Sequence, residues 1–358
     1  MGGMNPGRPL PAADLEFIMR EGAALWPQLK GARLFITGAT GFFGRWLLES
    51  LFAADERHNL GVRVVGLSRD PGRFLDAVPH LAIPGLGWMT GSVATLRPDG
   101  LDGETFDMVI HLATEADMQA SASDPRAAAE VITGGTQNAL GVAARTGARR
   151  FLFTSSGAVY GPQPAGMERI PEDYLGATDS FDRKSPYALP AEAKRKAELL
   201  CAEHAGRREM ETVIARGFSF AGPVLPTGGK FAFGNFMGDA LAGGPIVIKG
   251  DGTTVRSYLY GADLAVWLWT LLLRGRSGRA YNVGSEAAVS LRSLAGAVAA
   301  ELGVREIEVR GHAGPGAGPD RYVPSTLRAR EELGLGEKFS LQEIIRRTAD
   351  WHRAEVQH

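Results

Sequence analysis

The sequence predicts an α/β fold, a doubly wound parallel sheet with a smaller C-terminal lobe, and three observations carry that expectation. Apolar segments at 33–37, 62–67, 107–112, 150–154 and 212–216 alternate with helical stretches at 42–53, 126–146 and 191–205, the rhythm of strands joined by crossover helices. The first apolar segment runs straight into Thr37-Gly38-Ala39-Thr40-Gly41-Phe42-Phe43-Gly44, where three glycines spaced three apart precede a helix. After Arg216 the alternation gives way to loops and shorter segments.

Each glycine of the first turn has a separate physical reason. Gly38 allows the sharp turn off the strand, Gly41 lets the backbone approach a pyrophosphate without a Cβ in the way, and Gly44 lets the helix pack closely. The exposed N–H groups and positive dipole end of the following helix then suit phosphates. A glycine triplet alone is a weak signal. Its place between an apolar strand and the run Trp46-Leu47-Leu48-Glu49-Ser50-Leu51 favours dinucleotide binding over a plain turn. The crevice is expected at the carboxyl ends of the strands.

The remaining elements follow in chain order. Leu15, Ile18, Leu25, Trp26 and Leu29 recur at roughly helical spacing, so a helix over 12–29 is expected to pack on the main fold. The organisation is thus an N-terminal helical extension at 1–30, a dinucleotide-binding domain at 31–215 and a C-terminal lobe at 216–358, with a soft boundary across which segments can interleave. In that lobe a helix is expected at 231–242, and Gly250-Asp251-Gly252 reads as a hairpin turn between strands 246–249 and 253–256. Ala262 to Leu273 is an apolar helix whose Trp267 and Trp269 read as core, and 311–319 is a glycine- and proline-rich loop.

Bulk properties bound the function class. The chain has 358 residues, 44% of them apolar, and a formal net charge of −1, so it can bury a large core and has no general electrostatic attraction to nucleic acid or membrane. The first eleven residues lack the apolar core of a secretory signal, and no stretch has the unbroken apolarity of a membrane span, so a cytoplasmic location is expected. The single cysteine, Cys201, allows no internal disulfide and sits in a sequence that reads as helix core. No metal-ligand cluster is visible among the seven histidines, and His111 reads as support for a strand end.

Further motifs appear in a recognisable order. Val109-Ile110-His111-Leu112-Ala113 is followed by Thr154-Ser155-Ser156-Gly157-Ala158-Val159-Tyr160-Gly161, then by Arg216 with Gly222-Pro223, Arg256-Ser257-Tyr258-Leu259-Tyr260, Asp263-Leu264-Ala265 and Tyr281-Asn282-Val283-Gly284. With the glycine turn, these resemble the extended short-chain dehydrogenase/reductase superfamily, in particular the NAD(P)-dependent nucleotide-sugar epimerases and dehydratases, over roughly residues 31–350.

That resemblance implies transient oxidation, in which a bound nicotinamide takes hydride from a sugar carbon and returns it. It implies a base for the hydroxyl proton, a cation that lowers the pKa of the base, and a hydroxyl that holds the reacting oxygen. Ser156 matches the hydroxyl, Lys194 matches the cation that also holds the cofactor ribose, and Ser155 is a neighbouring alternative. Relatives usually place the tyrosine base four residues before the lysine, but Pro190 stands there and the nearest tyrosine is Tyr187, seven residues before Lys194. On one helix their backbones would lie about 10 Å apart instead of about 6 Å. Tyr187 as base, Tyr187 as a structural residue and a damaged site all stay open at this point.

Two departures narrow the expectation. Sugar 4,6-dehydratases commonly carry acidic groups just after the serine pair, whereas Gly157 and Ala158 stand here, so epimerisation or reduction of a keto sugar fits better than dehydration, with a 4,6-dehydratase or decarboxylase as the alternative within the enzyme class. A non-catalytic dinucleotide-binding protein is the reading from a different class. At the end of the second strand, Ser68 and Arg69 occupy the places where an acidic group would meet the ribose hydroxyls of NAD, which favours NADP, with NAD retained through Asp70.

The resemblance assigns cofactor contacts to Gly38, Thr40, Gly41, Phe42, Phe43, Gly44, Ser68, Arg69, Ala113 and Lys194. It places the nucleotide-diphosphate sugar on Ser155, Ser156, Ser219, Arg256 and Arg321, the two guanidiniums suiting a diphosphate. A homodimer through helices 126–146 and 191–205 completes the expectation.

Overall fold

The computed structural model describes residues 7–101, 103–113, 124–176, 188–207, 210–229, 231–312 and 320–354. Strands β1 (Arg33–Thr37), β2 (Arg63–Ser68), β3 (Leu86–Thr90), β4 (Met108–His111), β5 (Arg150–Ser156), β6 (Glu211–Gly217) and β11 (Arg279–Val283) form one sheet. Its order is β11-β6-β5-β4-β1-β2-β3, and every pairing is parallel. Strand order therefore reverses at β1 and β4, where a Rossmann-type sheet opens its crevice.

Alternation along the strands decides which side chain meets which layer. Leu34 and Ile36 face the layer of α1 (Ala12–Glu21), α2 (Phe42–His58) and α7 (Gly261–Arg274), while Phe35 joins Val109, Phe151 and Phe153 against α4 (Pro125–Arg145) and α5 (Ala188–Gly206). Both layers are closed by helix stripes. In α5 the buried residues Ala193, Lys194, Ala197, Glu198 and Cys201 recur at helical spacing, which carries one lysine and one glutamate inward with the apolar groups.

Two local expectations are corrected. The N-terminal helix ends at Glu21, and Trp26–Leu29 forms a separate 3₁₀ turn with Pro27 near its start. Gly250-Asp251-Gly252 does not close a hairpin: β8 (Ile246–Ile248) pairs in parallel with β13 (Ile307–Val309), and β9 (Val255–Arg256) pairs antiparallel with β12 (Val289–Ser290). The Asp251 carboxylate instead accepts from the Thr253 amide and hydroxyl, forming a local turn that leaves both strand edges to later partners. Short apolar strands in a mixed lobe pair wherever a longer-range edge buries more surface.

The C-terminal lobe is sewn to the sheet. Trp46 of α2 donates to Pro223 O, and the Tyr260 phenol at the end of β10 (Leu259–Tyr260) donates to the buried Asp14 carboxylate of α1, which also takes Arg347 of α10 (Leu341–Arg353). Among the described residues no helix is long and apolar enough to cross a membrane.

Candidate active site at the carboxyl ends of the strands

The turn after β1 has the shape that its glycines require. Gly38 has φ +69°, and a Cβ there would lie 2.7 Å from Ala113 N and 2.9 Å from Leu112 C, so the turn presses against the end of β4. At Gly44 a Cβ would strike Ala39 O at 2.2 Å. Gly41 differs: a Cβ would meet only Gly38 O, at 3.4 Å, and otherwise project into open space at the helix start. The first ladder bond of the helix is Arg45 N to Gly41 O, which leaves the amides of Phe42, Phe43 and Gly44 ahead of it. An open cradle of first-turn amides fits a dinucleotide pyrophosphate. The Phe42 and Phe43 rings turn away into aromatic contacts with Trp46 and Phe220. Gly38→Ala is expected to destabilise the fold by about 1–3 kcal/mol and to weaken dinucleotide binding; denaturant unfolding and cofactor titration of the variant check both.

His111 pins this cradle. Its Nδ1 lies 2.7 Å from Thr37 Oγ1, which accepts from Ala113 N, and its Nε2 lies 3.2 Å from Thr136 Oγ1, which donates to Ile132 O. The strand-end role read from the sequence is its role in the fold.

At the end of β2, Ser68 Oγ accepts from Asp70 N, and Asp70 caps α3 (Pro71–Ala77) by accepting from Arg73 N. Asp70 is committed to its helix, while Arg69 is exposed. Thr40 is half-buried in the turn.

The second half of the site is built on β5 and α5. Lys194 is buried and donates to Thr154 O at 2.8 Å, with its ammonium 4.7 Å from the centre of the Phe153 ring. Burial pulls its pKa down to about 8 against the opposing pull of Glu198 one turn on. Pro190 sits in the first turn of α5, where its missing N–H costs no ladder bond. Tyr187 lies outside the described residues.

The two serines divide. Ser155 donates to Glu198 at 2.6 Å, and Glu198 is held by Arg216 through Nε at 3.0 Å and Nη2 at 2.6 Å. Arg216 continues to the Tyr160 phenol at 2.7 Å, which donates to Asn282 Oδ1 at 2.8 Å. Ser155 thus belongs to a network joining β5, α5, β6 and β11. Ser156 is half-buried at the strand end, accepts from Ala158 N at 3.1 Å, and lies 3.5 Å from the hydroxyl of Tyr322.

Arg256 Nη2 pairs with Asp320 at 2.6 Å, its guanidinium carbon 5.7 Å from the centre of the Tyr322 ring. Arg321 reaches Glu168 O at 2.9 Å, while its neighbour Tyr322 meets Ser156. Arg256 and Ser156 are thereby brought to one place through Tyr322, and Arg321 is engaged elsewhere. Ser219 is half-buried, and its carbonyl accepts from Leu259 N beside this region. Tyr322 is the site residue that sequence reasoning missed. Its signal was the extended segment 320–324, in which neighbouring side chains face opposite ways. Among the described residues no group of three His, Cys, Asp or Glu side chains is arranged to hold a metal ion.

Comparison with known proteins agrees with this architecture. A UDP-glucuronic acid decarboxylase of Arabidopsis thaliana is 30% identical over 336 residues, covering 92% of this chain and 71% of the relative. A crystal structure of a dTDP-glucose 4,6-dehydratase from Streptomyces venezuelae with NAD bound superposes with a TM-score of 0.75 at 25% identity, covering 90% of this chain and 97% of the other. The UDP-glucose 4-epimerase of Thermotoga maritima shares the fold with a TM-score of 0.75 at 20% identity, over 91% of this chain and all of the other. The NAD dependent epimerase/dehydratase family is matched over residues 34–284. With the family model matched over that span, the chain belongs to the NAD-dependent epimerase/dehydratase family, within the extended short-chain dehydrogenase/reductases.

Proposed function

We propose that the chain is an epimerase or keto-sugar reductase acting on a nucleotide-diphosphate sugar. The observation that carries this reading is the end of β5: Ser156 is followed by Gly157 and Ala158, and the nearby carboxylate Glu198 is occupied by Ser155 and Arg216. Among the described residues the partners of the Ser156 hydroxyl are Tyr322 and the Ala158 amide, neither of them an acid suited to removing water. A nicotinamide, when bound, supplies reversible hydride acceptance.

The roles of this chain's groups follow from position and charge. Ser156 orients the reacting hydroxyl, Tyr187 exchanges its proton, and the Lys194 ammonium holds the ribose and favours the tyrosinate. Gly38, Gly41 and the amides of Phe42 to Gly44 hold the pyrophosphate. Arg256 binds the sugar diphosphate in exchange for Asp320. A homodimer through α4 and α5 is part of the proposal, supported by Leu199 standing 71% exposed on α5; a monomeric mass in solution would remove it.

Decarboxylation is the second reading, favoured by the Arabidopsis thaliana relative. Incubating the protein with oxidised cofactor and UDP-glucose, UDP-glucuronic acid or dTDP-glucose, and with reduced cofactor and a nucleotide-linked 4-keto sugar, separates the possibilities by product mass and stereochemistry. An unchanged mass with altered stereochemistry, or reduction of a keto sugar, supports the proposal. Loss of carbon dioxide or of water replaces it with the alternatives, and binding without turnover identifies a non-catalytic protein.

For the cofactor, NADP is proposed over NAD. The support is Asp70 spent as a helix cap, with exposed Arg69 beside it to meet a 2′-phosphate. Arg69→Ala is expected to weaken NADP binding by about tenfold and leave NAD within about twofold; equal effects on both dinucleotides in a fluorescence titration would count against it.

A further inference from the structure

The segment 320–324 crosses the site as a strap tied on both sides. Val255 N donates to Asp320 O at 2.8 Å and Tyr322 N to Val255 O at 3.1 Å, while Ile170 N donates to Val323 O at 2.9 Å and Val323 N to Gln163 Oε1 at 3.0 Å. With backbone fixed on β9 and on the 163–170 loop, the direction of Tyr322 is fixed as well. Its ring packs on Phe218 with centroids 4.5 Å apart.

The phenol then lands on the end of β5. Its oxygen lies 3.5 Å from Ser156 Oγ, 3.4 Å from Gly217 O, and 2.6 Å from where a Cβ on residue 157 would project. Gly157 is thus a glycine because Tyr322 and Phe218 occupy the space, not because the turn needs an unusual backbone: residue 157 is absent from the positive-φ positions.

We propose that Tyr322 is a positioning residue of the candidate active site, whose hydroxyl orients Ser156 toward the substrate and couples it to the diphosphate-facing Arg256. The inference rests on the nucleotide-sugar reading above and deepens it. Ser156 already accepts from Ala158 N, so its rotamer is set from one side. Tyr322 sets it from the other, and bonds of this kind are often long before the site is filled. The phenol can do so over the whole working range, because burial pushes its pKa up to about 12 and keeps it neutral. Arg256 over the same ring means that a diphosphate displacing Asp320 acts on the strap carrying Tyr322.

The test uses the NADP-loaded or NAD-loaded protein and four forms: unmodified, Tyr322→Phe, Ser156→Ala and the double variant. Calorimetry with UDP and with UDP-glucose gives the ratio of the two dissociation constants, in which the nucleotide contribution cancels. Each single variant is expected to shift that ratio against UDP-glucose by about three- to tenfold, with UDP itself within about twofold. The double variant is expected to shift it no further, since Tyr322 acts through Ser156. An unaltered ratio in Tyr322→Phe, or losses that multiply in the double variant, overturns the proposal in favour of a packing role. If UDP-glucose binds with this pattern but is not turned over, the proposed reaction fails and Tyr322 keeps its role. If UDP does not bind at all, the nucleotide-sugar reading fails and takes the proposal with it.

Discussion

Lys194→Met is expected to lower kcat by about a thousandfold while leaving the protein folded. The ammonium sits where chemistry is proposed, bonded to Thr154 O one residue before the serine pair. Methionine matches its length and suits the buried surroundings of Phe153, so the helix has no reason to unpack. What disappears is the positive charge, and with it the support proposed for a tyrosinate and the bond proposed to the cofactor ribose. The buried ammonium also predicts a pH limit. With the pKa pulled down to about 8, Lys194 loses its proton just above neutrality, so kcat/KM of the free enzyme is expected to fall above pH 8. The linkage sign is opposite for stability. Because the pKa is about 8 folded against the 10.5 of an ordinary lysine, the unfolded chain binds more protons between those limits, and stability attributable to Lys194 rises with pH across that window. Steady-state kinetics and denaturant unfolding of both proteins from pH 7 to 10 check these trends; full turnover in Lys194→Met would exclude the lysine from the chemistry.

The sheet was legible because alternation and burial act locally. Leu34, Phe35 and Ile36 divide between the two faces as a doubly covered strand must, and each glycine of Gly38, Gly41 and Gly44 has a distinct constraint that one residue type meets. Pairings in the C-terminal lobe were not legible. Ile246–Ile248 and Val255–Arg256 are close in sequence, but their partners at 307–309 and 289–290 are set by tertiary packing that no local pattern records. At the candidate site, Ser156, Lys194 and Arg256 were named through the resemblance of the motifs around them, and the roles given to them are part of the proposal. Tyr322 carried no such resemblance that distinguished it from its neighbour Arg321. Only the direction of each side chain from an extended strap separates the phenol on Ser156 from the guanidinium on Glu168 O. Ser155 shows the converse: by type it was the neighbouring alternative to Ser156, yet the buried Glu198–Arg216 pair claims it.

Acid is expected to destabilise the protein through His111, and replacing it with glutamine is expected to remove that part of the pH dependence. The hydrogen bonds around the ring run one way. Thr136 spends its hydroxyl proton on Ile132 O, so it accepts from His111 Nε2–H; Thr37 accepts from Ala113 N, leaving its own proton for Nδ1. A second proton on the ring would force Thr37 to turn away, at the end of the strand that leads into Gly38. Complete burial, with the nearby Lys194 charge adding to it, pulls the pKa of the ring down to about 3 from 6.5. Between these limits the unfolded chain holds one proton more than the folded one, so stability falls as pH falls, by about 1.4 kcal/mol per unit for this group. From pH 6.5 to about 4.5 the loss is roughly 2 kcal/mol, a sizeable part of the 5–15 kcal/mol typical of whole domains. His111→Gln gives up the ring contacts and is expected to be less stable near neutrality, but the gap should close by roughly that amount on acidification. Comparing the two proteins cancels the carboxylates, including the buried Asp14 and Asp263, whose raised pKa values act in the opposite direction. Urea unfolding at pH 7.5 and about 4.5 measures the gap. A gap that stays constant would mean that the ring accepts its proton without disturbing Thr37, and the cradle would not depend on a neutral imidazole.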